Sequence, residues 1–150
     1  MALNVFFRQP FTEAAQKELS IVQGVLNVVQ ALSGNPVTLE SLTGFEAQSE
    51  STFRQAFEKE TGLDYTPENF RFNRLELLDR AEAIVFIRTG LSESGAFEVA
   101  YNIYKGNQVP VFFAVWKKAP LRDTFLKDLE PLLDVVYCEF EDPAELEPAL

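Results

Sequence analysis

The stretch that decides the fold is Ile84-Val85-Phe86-Ile87-Arg88-Thr89-Gly90-Leu91-Ser92-Glu93-Ser94-Gly95-Ala96-Phe97-Glu98-Val99-Ala100-Tyr101, continuing to Val109-Pro110-Val111. Ala83–Ile87 is an unbroken apolar run of strand length, the pattern of a strand covered on both faces. A small polar loop from Gly90 to Ser94 follows it, then a helical segment from Gly95 to Lys105 that Gly106 stops. Phe97, Tyr101 and Tyr104 share one stripe of that helix and are expected to pack against the sheet. Val109–Val115 repeats the fully apolar pattern. Strand, helix and strand of this kind make a parallel unit, because parallel strands need a crossover connection.

The flanks extend the alternation. Asn4–Phe7 is a short apolar strand ended by Gln9-Pro10, since proline drives its predecessor out of the helical region. Thr12 is placed to cap a helix on which Ala15, Leu19, Val22, Leu26 and Val29 form an apolar stripe, and Ser33-Gly34-Asn35-Pro36 stops it. Val37–Glu40 reads as a weak strand, and Ser51–Thr61 as a helix closing on Gly62. Thr66-Pro67 opens a further helix to about Arg80, with threonine as cap and proline at the first helical position. A helix over Leu121–Leu133, a strand over Val135–Phe140 and a final turn or short helix over Pro143–Leu146 complete the chain. The fold class expected is α/β, a single three-layer α/β/α domain over residues 1–150 with a mainly parallel, doubly wound sheet, flavodoxin-like or Rossmann-like. Val5, Phe6, Ile84, Val85, Phe86, Val111, Phe112 and Phe113 are expected in its buried strands. Sites in such sheets lie beyond the carboxyl ends of the strands, so Arg8–Phe11, Ser41–Phe45, Arg88–Gly95 and Trp116–Pro120 are expected to share one crevice.

Composition narrows the chemistry. Among 150 residues, 23 acids outnumber 13 bases for a net charge of −10, which repels phosphate backbones and argues against nucleic acid as partner. Histidine is absent, which removes Ser-His-Asp and Cys-His sites and histidine-ligated zinc. One cysteine, Cys138, rules out an internal disulfide and any CxxC pair, and its apolar strand makes it a core residue. No GxGxxG or GxxxxGK[ST] motif occurs. The expectation is therefore no metal and no cofactor. The longest apolar run, Val109–Trp116, is far short of the roughly 20 residues of a membrane span, and Arg8 and Gln9 break the apolar N-terminal stretch. A cytoplasmic protein with no membrane partner is expected.

Helix N-termini carry unpaired amides and partial positive charge, so Ser92, Ser94 and Gly95 suit a ligand at the head of the 95–105 helix. Two readings of Glu98 stand side by side. It projects beside the crevice as a nucleophile or electrostatic stabiliser, or it forms a solvated polar face with Asn102 and Lys105. Arg8, Arg88, Lys117 and Lys118 all end strands on the same side, a local reversal of sign that favours an anionic ligand.

The run Ser94-Gly95-Ala96-Phe97-Glu98-Val99-Ala100-Tyr101, followed by Gly106-Asn107-Gln108-Val109-Pro110-Val111, resembles the nucleoside 2-deoxyribosyltransferase family and its nucleotide N-glycosidase relatives. Val5-Phe6-Phe7-Arg8-Gln9-Pro10-Phe11-Thr12-Glu13-Ala14 is similar to that family's opening. The resemblance implies that Glu98 is the catalytic nucleophile, attacking C1′ of a nucleoside or nucleotide and releasing the base, without metal or cofactor. It implies a pocket lined by Gln9, Thr89, Ser92, Ser94 and Gly95, and, with the 14 phenylalanines, a homodimer or higher homo-oligomer. The departures are specific. Arg8 and Gln9 stand where the family has Ala-Gly, Ser92 replaces the acid that helps protonate the base, Arg74 falls on an aspartate position, and Glu82 replaces the aspartate just before the strand. These leave two alternatives: an NAD glycohydrolase, whose nicotinamide leaves without protonation as in the similar TIR domains, and a non-catalytic nucleotide-binding or signalling module.

Overall fold

Five strands form one sheet in the order β2-β1-β3-β4-β5, where β1 is Ala2–Arg8, β2 Thr38–Ser41, β3 Ala83–Arg88, β4 Val111–Trp116 and β5 Val135–Phe140. Every neighbouring pair is parallel, with Val5 opposite Ala83, Ile84 opposite Val111 and Val111 opposite Val135. This computed structural model describes residues 2–8, 16–32, 38–41, 50–89, 93–118 and 128–149. Four α-helices connect the strands among the described residues: α1 Gln16–Leu32 after β1, α2 Glu50–Thr61 and α3 Pro67–Arg80 in succession between β2 and β3, and α4 Glu93–Tyr104 after β3, with a final 3-10 helix at Pro143–Ala149. The architecture is the three-layer, doubly wound α/β fold with flavodoxin-like strand order.

Alternation along the strands sorts the core into two layers. Val5, Phe7, Val85, Ile87, Ala114 and Trp116 face α1 and the 3-10 helix, meeting Val22, Val25, Val29 and Leu146. Phe6, Ile84, Phe86, Val111 and Phe113 face α3 and α4, meeting Leu78, Val99 and Ile103. On this second side the Phe113 ring stacks on Phe86 at 5.5 Å and on Tyr137 at 5.0 Å, tying three strands together. Burial raises the pKa of the Tyr137 phenol, whose oxygen accepts the Leu129 amide at 3.2 Å. Local signals operate as read. The Thr66 hydroxyl accepts from Asn69 N–H at 3.1 Å with Pro67 in the first turn, and Gly62 ends α2 at φ +70°, the left-handed conformation that favours glycine.

The structure corrects several expectations. Phe97 and Tyr104 are 53 % and 72 % exposed, and Tyr101 is half-buried. The buried face of α4 is instead Gly95, Glu98, Val99, Asn102 and Ile103. That face spans the i, i+3, i+4, i+7, i+8 positions of one helical stripe. It carries two polar residues because each has a partner. The Asn102 side chain donates to the Val109 carbonyl and accepts the Val109 amide, both at 3.0 Å. The solvated-face reading of Glu98 and Asn102 therefore fails, although Lys105 is exposed. Val109 spends its backbone on this clasp, so β4 begins at Val111 rather than Val109. Phe112 is half-buried, not fully buried.

Residues 128–133 form turns, not helix, with Asp128 at φ 52° and Pro131 unable to donate a helical hydrogen bond. The rest of that expected helix, 121–127, lies outside the described residues. On α1 the centre of the buried stripe is Val25, with Leu26 half-buried; the side chains of Ala15 and Leu19 lie outside the described residues.

Candidate active site

Strand order reverses between β1 and β3, since the chain moves from β1 out to β2 and then returns to the other side of β1. Sheets of this type hold ligands at the carboxyl ends of those strands. Arg88 and Thr89 mark that edge on β3, and α4 starts shortly after them. The helix begins at Glu93, which places Glu98 in its second turn rather than its first.

Glu98 is 6 % exposed and is gripped by Arg74 of α3, which is 7 % exposed. Arg74 Nε donates to Glu98 Oε1 at 3.1 Å and Nη2 to Oε2 at 3.4 Å. The guanidinium lies over the Phe6 ring of β1, 4.2 Å from its centroid, with Phe70 on another side at 5.8 Å. An arginine so placed is held by the ring and the carboxylate together, an arrangement that fixes both charged side chains. Three elements, β1, α3 and α4, thus converge on one ion pair. Sequence reasoning placed Glu98 in the site but missed Arg74 as its partner. The signal was a lone cation on the buried stripe of α3, four residues after Phe70 and four before Leu78.

Other expected site residues fall as follows. Thr89 is fully buried, and its hydroxyl has no hydrogen-bond partner among the described residues; the buried side-chain oxygen of Asn73, next to Arg74, is in the same condition. Buried polar atoms without partners are rare and mark places where a polar ligand or water fits. Gly95 is buried and Ser94 exposed in the first turn of α4. Gln9 and Ser92 lie outside the described residues, as do most of the loops expected to frame the crevice.

Of the four bases, Arg88 is buried with its guanidinium 5.7 Å from the Phe86 ring centroid. Lys117 and Lys118 sit in an exposed turn, and Lys118 pairs with Glu141 at 3.5 Å, a surface contact of little energetic weight. The Arg8 side chain lies outside the described residues.

Two further groups are structural. Glu82 accepts the Asn4 amide at 2.7 Å, tying the amino-terminal halves of β1 and β3 together on the edge opposite the site. The Tyr101 hydroxyl donates to Asp79 at 2.9 Å, a second polar link between α3 and α4. That bond, then burial and the Asp79 charge, raise the Tyr101 pKa above its ordinary 10.0. Among the described residues no group of three or more metal-binding side chains occurs, and no helix is long and apolar enough to cross a membrane.

No protein-family model and no curated protein matches the chain. The solved structures similar to it include two bacterial enzymes. One is a 2-deoxyribosyltransferase from Bacillus psychrosaccharolyticus, at 19% identity and TM-score 0.49 over 96% of this chain and 90% of that one. The other is an FMN-dependent NADH-azoreductase from Bacillus anthracis in complex with FMN, at 14% identity and TM-score 0.39 over 99% and 93%. These likenesses are of chain path, and chemistry must be argued from the site itself.

Proposed function

We propose that the protein cleaves or transfers the N-glycosidic bond of a nucleoside or nucleotide through Glu98. The observation that supports this best is the state of Glu98: a buried carboxylate, held by Arg74, in the second turn of the helix that follows β3. A carboxylate oxygen attacks C1′, the C1′–N bond breaks with its electron pair leaving on the base, and a glycosyl ester forms. Water then donates hydroxide to C1′, the carboxylate is regenerated, and the water's remaining proton goes to the departed base. A second base in place of water makes the reaction a transfer. Thr89, whose buried hydroxyl has no partner among the described residues, is the residue best suited to hold the sugar. Gln9, Ser92, Ser94 and Gly95 complete the proposed pocket on the resemblance alone. The exposed rings of Phe72, Phe97 and Tyr104 are the surface a homo-oligomer would cover.

The second reading is a nucleotide-binding module without chemistry. It is favoured by the hold that Arg74 has on both Glu98 oxygens, and by Ser92 in place of an acid. A base-release assay separates the two. Over a panel of nucleosides, nucleotides and NAD, wild type releases free base and Glu98→Gln loses that activity by about 10³-fold or more. Release from NAD alone would select the glycohydrolase form of the reaction. No release from any substrate, or equal release by wild type and Glu98→Gln, leaves the binding module as the function.

A further inference from the structure

If Glu98 is the nucleophile, the charge of the Arg74–Glu98 pair changes during the reaction. In the resting protein Arg74 is buried, and Glu98 is the one carboxylate paired with it among the described residues. When Glu98 attacks C1′, its negative charge is consumed in forming the ester. Arg74 keeps its charge, because guanidinium does not deprotonate in proteins. The ester state would then hold a buried cation that has lost its counter-ion, an expensive arrangement. The same cation also opposes the positive charge that develops on the sugar as the C1′–N bond breaks.

We propose that Arg74 changes partners during the reaction, from Glu98 to an anionic group carried by the substrate, and that the substrate is therefore a nucleoside phosphate rather than a neutral nucleoside. Two features of Arg74 suit the exchange. The Phe6 ring, 4.2 Å from the guanidinium carbon, is a contact independent of Glu98 and remains when the carboxylate is esterified. Its Nη1 group makes no hydrogen bond to the described residues and offers donors to an incoming phosphate. The anion also completes the electrostatics of the transition state, since the sugar charge and the guanidinium then share a counter-charge.

The test has two arms. In the first, wild type is assayed on matched nucleosides and their 5′-monophosphates. The monophosphates are expected to show at least tenfold higher kcat/KM, and Arg74→Met to lose most of that preference while Arg74→Lys retains part of it. In the second, a nucleoside monophosphate is titrated into wild type and Glu98→Gln. The amide removes the carboxylate charge as the ester does, so the variant is expected to bind the monophosphate at least tenfold tighter than wild type, and to bind the uncharged nucleoside no tighter. Equal cleavage of nucleosides and monophosphates, or no gain in monophosphate binding by Glu98→Gln, would overturn the partner exchange. An absence of base release from every substrate overturns the catalytic reading instead, and the titration then decides the anion preference by itself.

Discussion

The two faces of the sheet are built on different terms. The face under α1 is sealed by Val5, Phe7, Val22, Val25, Val29, Ile87 and Leu146. The face under α3 and α4 has an equally apolar floor in Phe6, Ile84, Phe86 and Phe113, yet Arg74, Glu98 and Asn102 are buried above it. A folding chain gains stability by burying apolar surface, whereas a buried ion pair is at best a weak stabiliser. One face therefore follows the rule for stability, and the other breaks it at the Arg74–Glu98 pair and at Asn102. The break is what locates the candidate site.

The largest expected effect comes from erasing the difference between the faces. Arg74→Met leaves Glu98 as an unpaired buried carboxylate and should cost about 3–5 kcal/mol of stability in denaturant unfolding. Adding Glu98→Leu makes the second face as apolar as the first. The double variant should recover to within about 1 kcal/mol of wild type, or exceed it, with no catalytic activity. A single-variant loss below about 1 kcal/mol would mean the pair is effectively solvated, and the contrast would collapse.

A smaller effect probes the stability face. A Cβ on Gly24 of α1 would lie 2.7 Å from Pro143 Cγ in the 3-10 helix, closer than packed carbons tolerate. Gly24→Ala should lose about 1–3 kcal/mol to overpacking and regain up to about 1 kcal/mol from helix propensity. Unfolding midpoints should therefore fall modestly while base release per folded molecule stays at the wild-type level.

The smallest effect is on the outer link between α3 and α4. Because Asp79 accepts its proton, Tyr101 titrates above its ordinary 10.0. The stabilisation from that bond is present below pH 10 and is lost as pH rises through the raised value. Ultraviolet titration, with Tyr101→Phe as the difference reference, should show Tyr101 moving down toward 10.0 in Asp79→Asn.

The same contrast explains what could be read from sequence. The strands were legible because Ala83–Ile87 and Val111–Val115 are apolar throughout, and only a doubly covered sheet accommodates such runs. The cap at Thr66 and the stop at Gly62 were legible because each acts within four residues. The orientation of α4 was not. On its aromatic stripe Phe97 and Tyr104 are exposed and Tyr101 is half-buried, whereas the stripe bearing Glu98 and Asn102 points inward. The partners that make this possible, Arg74 and the Val109 backbone, lie 24 residues before and 7 residues after. A pattern read within one helix cannot register a satisfying partner elsewhere. The helix expected over Leu121–Leu133 is not continued through 128–133, where Pro131 has no amide to donate and the chain turns.

A nucleophilic Glu98 must form a covalent bond to the sugar, and that bond can be trapped. Wild type is mixed with a nucleoside monophosphate, quenched in acid within milliseconds, digested and mapped by mass spectrometry. The account predicts a peptide containing Glu98 heavier by the mass of one sugar phosphate less water, and no such adduct in Glu98→Gln. Released base without any adduct on that peptide, or an adduct on another residue, would contradict it.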